Sequence, residues 1–282
     1  MQLGTSDYSF RNELNSKKYS YSLDSLKKLK ATHPDLLGFE TVVDLFTKYV
    51  KDDSASLMDL KKTLNQAGFQ WYAFALSSGS MPNSNLVPFY HDFASYRKGF
   101  ERDREFRIGS AAEWIENAAA LGIKLMRIDP MPYFMNHKIN YSMAFDFNIE
   151  ENIAVYSELT KMAAEHDITI GIENHGGFAS DPNVLRKLFA GVPELKFVYD
   201  IGNVTDAERY HMAEEFADRI CYVHAKTYVF NLDGEESYMD YGKVFSILKD
   251  KGYNGWVSVE FEGPGDGDTG VARTIQLIKK YM

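Results

Sequence analysis

The feature that most constrains the fold of this chain is a regular alternation, in its second half, of short apolar segments with longer amphipathic ones. The sequence predicts strands at residues 168–173, 196–200, 220–226 and 256–261, and helices at residues 182–190, 207–218, 241–251 and 271–281. Asp181 is placed to cap the first of these helices, and Gly252 is placed to stop the third. Strands separated by helices pair in parallel, which indicates an α/β fold.

The first half repeats this alternation less clearly. Strands are predicted at residues 2–5, 36–41, 70–76 and 124–128, and helices at residues 22–30, 41–50, 54–67 and 111–121. Eight such units in 282 residues match the (β/α)₈ TIM barrel, whose usual size is about 250 residues. No linker-like stretch interrupts the chain, so we predict a single domain over residues 1–282. The polar stretch 77–109 is either a loop with an extra helix over the barrel mouth or a solvated helix.

Composition narrows the classes of partner. The formal net charge of −9 disfavours nucleic acid, because phosphate binding needs clustered Lys and Arg side chains. No apolar stretch reaches the roughly 18 residues of a membrane-spanning helix, so no membrane partner is expected. The opening MQLGTSDYSF lacks the pattern of a signal peptide, and we expect a cytoplasmic protein. The single cysteine, Cys221, excludes an internal disulfide and a cysteine-based zinc cage.

Four metal-ligand side chains lie at or near the C-terminal ends of the last four predicted strands. They are Glu173, Asp200, His224 and Glu260. Successive members are separated by about one strand–helix unit, roughly 30 residues, and active sites of this fold lie at that end of the strands. Because side chains alternate between the two faces of a strand, each of the four opposes the apolar face of its own strand.

A cluster of three carboxylates in a buried site is strongly unfavourable unless a cation compensates it. Any one of these residues alone is typical of an ordinary polar strand end. The four together, in phase on successive units, predict a divalent metal site. Two Glu, one Asp and one His suit Mn²⁺, Mg²⁺, Co²⁺ or Zn²⁺.

The segments around these residues carry a family resemblance. IGIENHGG surrounds Glu173, VYDIGN surrounds Asp200, YVHAK surrounds His224 and VSVEFEG surrounds Glu260. LGTSDYSF, LGFE and ALGIKLMRI extend the likeness over nearly the whole chain. On these segments the sequence resembles the xylose-isomerase-like TIM-barrel superfamily, which includes ketose 3-epimerases, hydroxypyruvate isomerase, inosose dehydratase and endonuclease IV.

The resemblance implies a sugar isomerase or epimerase that acts through an enediolate. Glu173 and Glu260 would be catalytic, each binding the metal and transferring a proton at the substrate carbon. Asp200 and His224 would serve only as metal ligands. The resemblance also implies a small-molecule sugar substrate and a possible homodimer.

Four further residues are predicted to bind substrate: Lys226, His175, Asn203 and Arg127. For Lys226 the alternative is a solvated lysine at the rim, and for His175 it is a hydrogen bond to a neighbouring loop. Arg127 has the alternative of an internal ion pair with Asp129, and Glu40 at the end of the second strand is open in the same way. Asn203 departs from the epimerase pattern, which has a His there.

Other functions stay open. The main alternative is a metal-dependent sugar or cyclitol dehydratase of the inosose dehydratase kind, which would use the same metal and expel a hydroxyl. A non-catalytic sugar-binding barrel is the third possibility. Endonuclease IV activity is disfavoured because its additional His and Asp ligands are missing. Asp266 and Asp268, after the last strand, favour an unphosphorylated substrate because they would repel a phosphate.

Overall fold

Eight parallel strands close into a barrel in sequence order in the computed structural model, which describes residues 1–76, 93–130 and 141–282. The strands are β1 (Gln2–Ser6), β2 (Gly38–Val42), β3 (Gln70–Leu76), β4 (Leu125–Ile128), β5 (Thr169–Glu173), β6 (Lys196–Asp200), β7 (Ile220–Thr227) and β8 (Trp256–Phe261). The barrel closes through the pairing of β1 with β8. The predicted (β/α)₈ fold is confirmed, and every predicted strand is present with ends within two residues of the prediction.

Helices follow the strands around the outside of the barrel. They are α1 (Arg11–Asn15), α2 (Leu23–Thr32), α3 (Val43–Phe46), α4 (Ser54–Ala67), α5 (Phe93–Leu121), α6 (Tyr141–Ala164), α7 (Gly176–Ala179), α8 (Pro182–Gly191), α9 (Asp206–Glu215), α10 (Tyr241–Asp250) and α11 (Gly267–Tyr281). The Asp181 carboxylate accepts a hydrogen bond from the Asn183 amide at 2.8 Å, which confirms the predicted cap of α8. Gly252 follows α10 with φ of 76°, a left-handed conformation that favours glycine.

Two helix predictions need correction, and one helix is not predicted. The helix expected at residues 41–50 begins only at Val43, because β2 continues to Val42, and it ends at Phe46. The helix expected at 111–121 begins at Phe93, so the part of the polar stretch within 93–109 is helical and residues 77–92 lie outside the described chain. No helix was predicted at α6. It packs against α5, α8 and β5, so its apolar residues lie on several faces and the helical period is blurred.

The inside of the barrel is layered. Near its N-terminal end Tyr72 and Trp256 stack with ring centroids 4.3 Å apart, beside Gly38. Paired residues of β7 and β8 then rise towards the mouth in the order Tyr222 with Trp256, His224 with Ser258 and Lys226 with Glu260. Aromatic side chains therefore fill the bottom, and polar side chains occupy the C-terminal half where this fold places its active sites. No helix within the described ranges is long and apolar enough to cross a membrane.

Candidate metal centre and active site

The barrel brings the four predicted ligands together. Glu173, Asp200, His224 and Glu260 are buried, and each offers a ligand atom within 4.8 Å of those of the other three. An octahedral ion with bonds of about 2.1 Å places adjacent ligand atoms about 3 Å apart and opposite ones about 4.2 Å apart. The donor set therefore has the spacing and the chemistry of a divalent metal site.

His224 turns one ring nitrogen to this cluster and the other away from it. Its Nδ1 lies 2.6 Å from Glu173 Oε1, 3.7 Å from Glu260 Oε2 and 3.9 Å from Asp200 Oδ2. Its Nε2 lies 3.0 Å from both carboxylate oxygens of Glu40. Burial lowers the pKa of His224, but the surrounding carboxylates, Glu40 first among them, outweigh burial and raise the pKa well above its usual value.

Hydrogen bonds from neighbouring residues fix the position of Asp200. Its Oδ1 accepts hydrogen bonds from the amides of Gly202 at 2.6 Å and Asn203 at 3.0 Å, and its backbone is bridged to the Asn174 side chain. Burial raises the pKa of Asp200 to about 7, against the opposing effect of Lys226. The other oxygen, Oδ2, is left to face the cluster.

Two buried oxygens in the cluster, Asp200 Oδ2 and Glu260 Oε2, accept no hydrogen bond from the described residues. Each lies 3.0 Å from the Lys226 ammonium, an ion pair without hydrogen-bond geometry. Buried carboxylate oxygens normally have a donor or a metal as partner. These two oxygens fit a divalent cation shared with Glu173 and His224.

Lys226 is a buried cation rather than a solvated rim residue, with 3% of its surface exposed. Besides its two cluster carboxylates, its Nζ contacts Glu262 Oε1 at 3.1 Å and donates to Asn203 Oδ1 at 2.9 Å. Burial lowers the pKa of Lys226, but Asp200 and Glu260 outweigh that effect, so the pKa is raised and the side chain stays charged. Asn203 thus orients Lys226 in this structure.

Arg127 contacts two carboxylates, one of which is the Asp129 partner that the sequence offered as an alternative to substrate. Its Nη1 donates to Glu173 Oε2 at 2.8 Å, and its Nε lies 3.4 Å from Asp129 Oδ1. Asp129 Oδ2 in turn lies 3.3 Å from Nδ1 of the half-exposed His175, so His175 contacts the carboxylate of the residue that follows β4. Burial raises the pKa of Glu173, but Arg127 and His224 outweigh burial and hold it well below its usual value.

A cavity of about 250 Å³ opens at the barrel mouth above the cluster. Its lining includes two of the four ligands, Glu173 and Glu260, but neither Asp200 nor His224. The remaining walls are Tyr8, Val42, Asp44, Leu45, Lys48, Arg127, His175, Lys226 and Glu262. Its size is at the low end for ligand sites, which suits a small polar molecule.

Several residues of this site were missed or left open in the sequence. Asp44 and Lys48 fall in the helix predicted at 41–50 and line the cavity, Asp44 within α3 and Lys48 just after it. The sequence alone assigns Glu40 no role. The signal that could identify it is an ionisable residue on the inward face of β2.

The N-terminus of α11, where many barrels of this fold bind phosphate, is occupied by carboxylates of the protein itself. Glu13 Oε1 accepts from the Gly267 amide at 2.7 Å, and Asp266 Oδ2 accepts from the Thr269 amide at 3.0 Å. Lys18 pairs with Asp266 and with Asp268. Two backbone donors that could hold a phosphate there, the amides of Gly267 and Thr269, therefore already have carboxylate acceptors.

Comparisons with known proteins agree with this architecture. The sequence model of the family described as xylose isomerase-like TIM barrel matches residues 36–281. An inosose dehydratase from Erwinia tasmaniensis is 28% identical over 136 residues, covering 38% of this chain and 45% of that protein. The matched part is therefore less than half the length of that curated relative.

Two solved structures superpose over nearly the full chain. The 3-keto-D-glucoside 4-epimerase YcjR from E. coli, in its apo form, has a TM-score of 0.71 at 13% identity and covers 99% of each chain. The IolI protein with a bound zinc atom has a TM-score of 0.69 at 17% identity, covering 100% of this chain and 99% of its own. At these identities the likeness establishes the fold alone.

Proposed function

The chain belongs to the xylose isomerase-like TIM barrel family, and on that premise we propose that it is a metal-dependent sugar isomerase or epimerase acting through an enediolate. The metal would be Mn²⁺, Mg²⁺, Co²⁺ or Zn²⁺, held by Glu173, Asp200, His224 and Glu260. The zinc atom in the IolI structure and the donor chemistry of the cluster support a divalent ion.

The observation that carries this proposal is that only two of the four predicted ligands line the cavity. Glu173 and Glu260 line the cavity, whereas Asp200 and His224 are buried behind them. Two carboxylates that both hold a metal and face a substrate can remove and return a proton. A site that only bound sugar would need no such pair, so this division favours catalysis over simple binding.

The residues of the site then have distinct tasks. Arg127 keeps Glu173 ionised, so Glu173 begins as a proton acceptor at the carbon next to the substrate carbonyl. Glu260, which also lines the cavity, would be the second proton-transfer group. Lys226, held by Asn203, presents a positive charge where negative charge develops on a substrate oxygen. A bound divalent ion would supply Lewis-acid stabilisation of that charge.

The substrate we propose is a small unphosphorylated sugar. The 250 Å³ cavity suits a small ligand, and the α11 N-terminus is occupied by Glu13 and Asp266. His175, half exposed at the cavity wall and paired with Asp129, is placed to contact a substrate hydroxyl.

A dehydratase acting on a sugar or cyclitol is the second candidate. The partial match to an inosose dehydratase favours it, and so does Asn203 in place of the epimerase His. The same carboxylates would abstract the proton, and a charged donor such as Lys226 would assist departure of the hydroxyl as water.

The test is proton exchange followed by NMR. The Mn²⁺-saturated protein is incubated in D₂O with a panel of ketoses, aldoses and cyclitols, and substrates are re-examined after metal removal. We expect deuterium at a carbon next to a carbonyl, lost in Glu173→Gln and in Glu260→Gln. Glu215→Gln, in an ion pair on the surface with Arg186, is the matched control and should retain exchange.

Three outcomes separate the candidates. Deuterium in an isomerised or epimerised product supports the main proposal. A dehydrated deoxy-keto product moves the assignment to the lyase. No exchange with any member of the panel, from protein that does bind Mn²⁺, contradicts enediolate chemistry on these sugars.

A further inference from the structure

We propose that Glu40 is a positioning residue for the metal centre: it accepts a hydrogen bond from His224 Nε2 and so presents Nδ1 to the metal. Glu40 does not line the cavity, and it would act only through His224. The inference rests on the proposed metal site and assigns a carboxylate–histidine–metal arrangement within it.

The surroundings of Glu40 point to this role. It is fully buried near the end of β2, and its carboxylate accepts from Ser258 Oγ at 2.7 Å, from Tyr222 Oη at 3.0 Å and from His224 Nε2 at 3.0 Å. Among the described residues no Lys or Arg lies within ion-pair distance of it. A buried carboxylate is retained where its hydrogen bonds are complete, and here the imidazole supplies one of them.

The contact with Glu40 gives His224 Nε2 a carboxylate acceptor whether or not a metal is bound. In this structure Nδ1 also lies 2.6 Å from Glu173 Oε1, so each ring nitrogen contacts a carboxylate. A neutral imidazole has one N–H donor and one nitrogen lone pair. When a metal takes Nδ1, the nitrogen facing Glu173, Asp200 and Glu260, donation to Glu40 would keep the remaining proton on Nε2. Without the carboxylate, the Nδ1–H tautomer becomes accessible, and that form cannot bind a metal through the nitrogen in the cluster.

The layers of the barrel explain why Glu40 is suited to this position. Tyr222 and Ser258 each precede a ligand of the same strand by two residues, so both face the barrel interior as that ligand does. Ser258 is level with His224 in the pairing of β7 with β8, and Tyr222 lies one inward-facing position before His224. Both hydroxyls donate to Glu40, which reaches His224 from across the barrel and so helps to orient this ligand.

The test is metal binding, measured with Co²⁺ by isothermal titration calorimetry and by the visible absorption of the bound ion. Glu40→Gln preserves shape and removes the charge, and we expect Co²⁺ affinity to fall about 10–100-fold. The Co²⁺ spectrum should change as well, because a ligand is reoriented. Tyr222→Phe is the matched control: it removes one hydrogen bond to the same carboxylate, keeps the His224 contact and should weaken binding less.

The outcomes distinguish this inference from the function it rests on. Wild-type protein that binds no divalent ion overturns both. Wild-type protein that binds Co²⁺, with Glu40→Gln equal to it in affinity and spectrum, overturns only the role of Glu40.

A second measurement needs no substitution and holds even if Glu40→Gln fails to fold. Imidazole ¹⁵N shifts of the wild-type zinc-loaded protein should show His224 protonated at Nε2 and metal-bound at Nδ1. A metal-bound or unprotonated Nε2 overturns the inference.

Discussion

Replacing Lys226 tests whether its ammonium compensates the negative charge of the buried carboxylates and so stabilises the metal-free barrel. The Lys226 ammonium is 3% exposed, and its Nζ lies 3.0 Å from Asp200 and from Glu260 and 3.1 Å from Glu262. Lys226→Met keeps most of the side-chain volume and removes the charge. Breaking a buried ion pair by removing one partner destabilises by about 3–5 kcal/mol, because the remaining charge is left uncompensated.

That energy corresponds to a measurable shift in melting temperature. With an unfolding entropy near 2.1 cal/mol/K per residue, a chain of 282 residues loses about 5–8 °C for a loss of about 3–5 kcal/mol. The assay is thermal unfolding of the metal-free protein, followed by circular dichroism. Lys279→Met, which removes an exposed pair with Asp35, is the control and should shift the melting temperature by no more than about 1 °C.

Divalent metal should then restore much of the loss. A divalent ion in the cluster neutralises the same carboxylates as Lys226, so saturating Mn²⁺ should raise the melting temperature of Lys226→Met more than that of the wild-type protein. A metal-free Lys226→Met protein that melts with the wild type and with Lys279→Met would refute the view that this ammonium compensates the cluster.

Three further predictions concern other parts of the molecule. Gly38→Ala should destabilise by about 1–3 kcal/mol in urea unfolding, because a Cβ there would lie 2.5 Å from Trp256 and 2.6 Å from Tyr72; unchanged stability would contradict that packing. Asp53→Ala should lower the urea midpoint in the same assay, since it removes the cap that accepts from the Ser56 amide at 2.9 Å, and an unchanged midpoint would contradict the cap. Burial raises the pKa of Asp7 to about 8, so between about pH 4 and 8 this carboxyl is protonated in the folded state and ionised in the unfolded state. The free energy of unfolding of the wild type therefore falls as pH rises through that window, by at most about 1.4 kcal/mol per pH unit. In urea unfolding the stability of Asp7→Asn relative to the wild type should increase from about pH 5 to 8, and a constant difference would contradict the raised pKa.

The sequence predicted the elements whose signals are local. Strand ends carry an alternation of period two, and the fold places all C-terminal strand ends at one mouth. Together these rules predict that Glu173, Asp200, His224 and Glu260 meet at one point. Their assignment as ligands, and that of Lys226 and its neighbours to substrate, stay predictions until a metal or substrate is bound.

What the sequence did not predict depends on closure of the barrel. Glu40 and His224 are 184 residues apart and meet only because β2 and β7 face each other across the interior. The burial of Lys226 is equally non-local, since it requires carboxylates from β6 and β8 on either side of β7. Helix α6 was missed for a related reason: its apolar faces are set by three neighbouring elements rather than by its own period.

The central claim is that a divalent ion binds among the last four strands, and anomalous diffraction from crystals soaked in Mn²⁺ tests it most directly. A second acidic group, Asp129, Glu173 and His175, lies beside the first and offers the alternative position. We predict one strong anomalous peak, within about 2.0–2.3 Å of ligand atoms of Glu173, Asp200, His224 and Glu260. A peak on Asp129 and His175 instead, or no peak in the barrel at all, would contradict it.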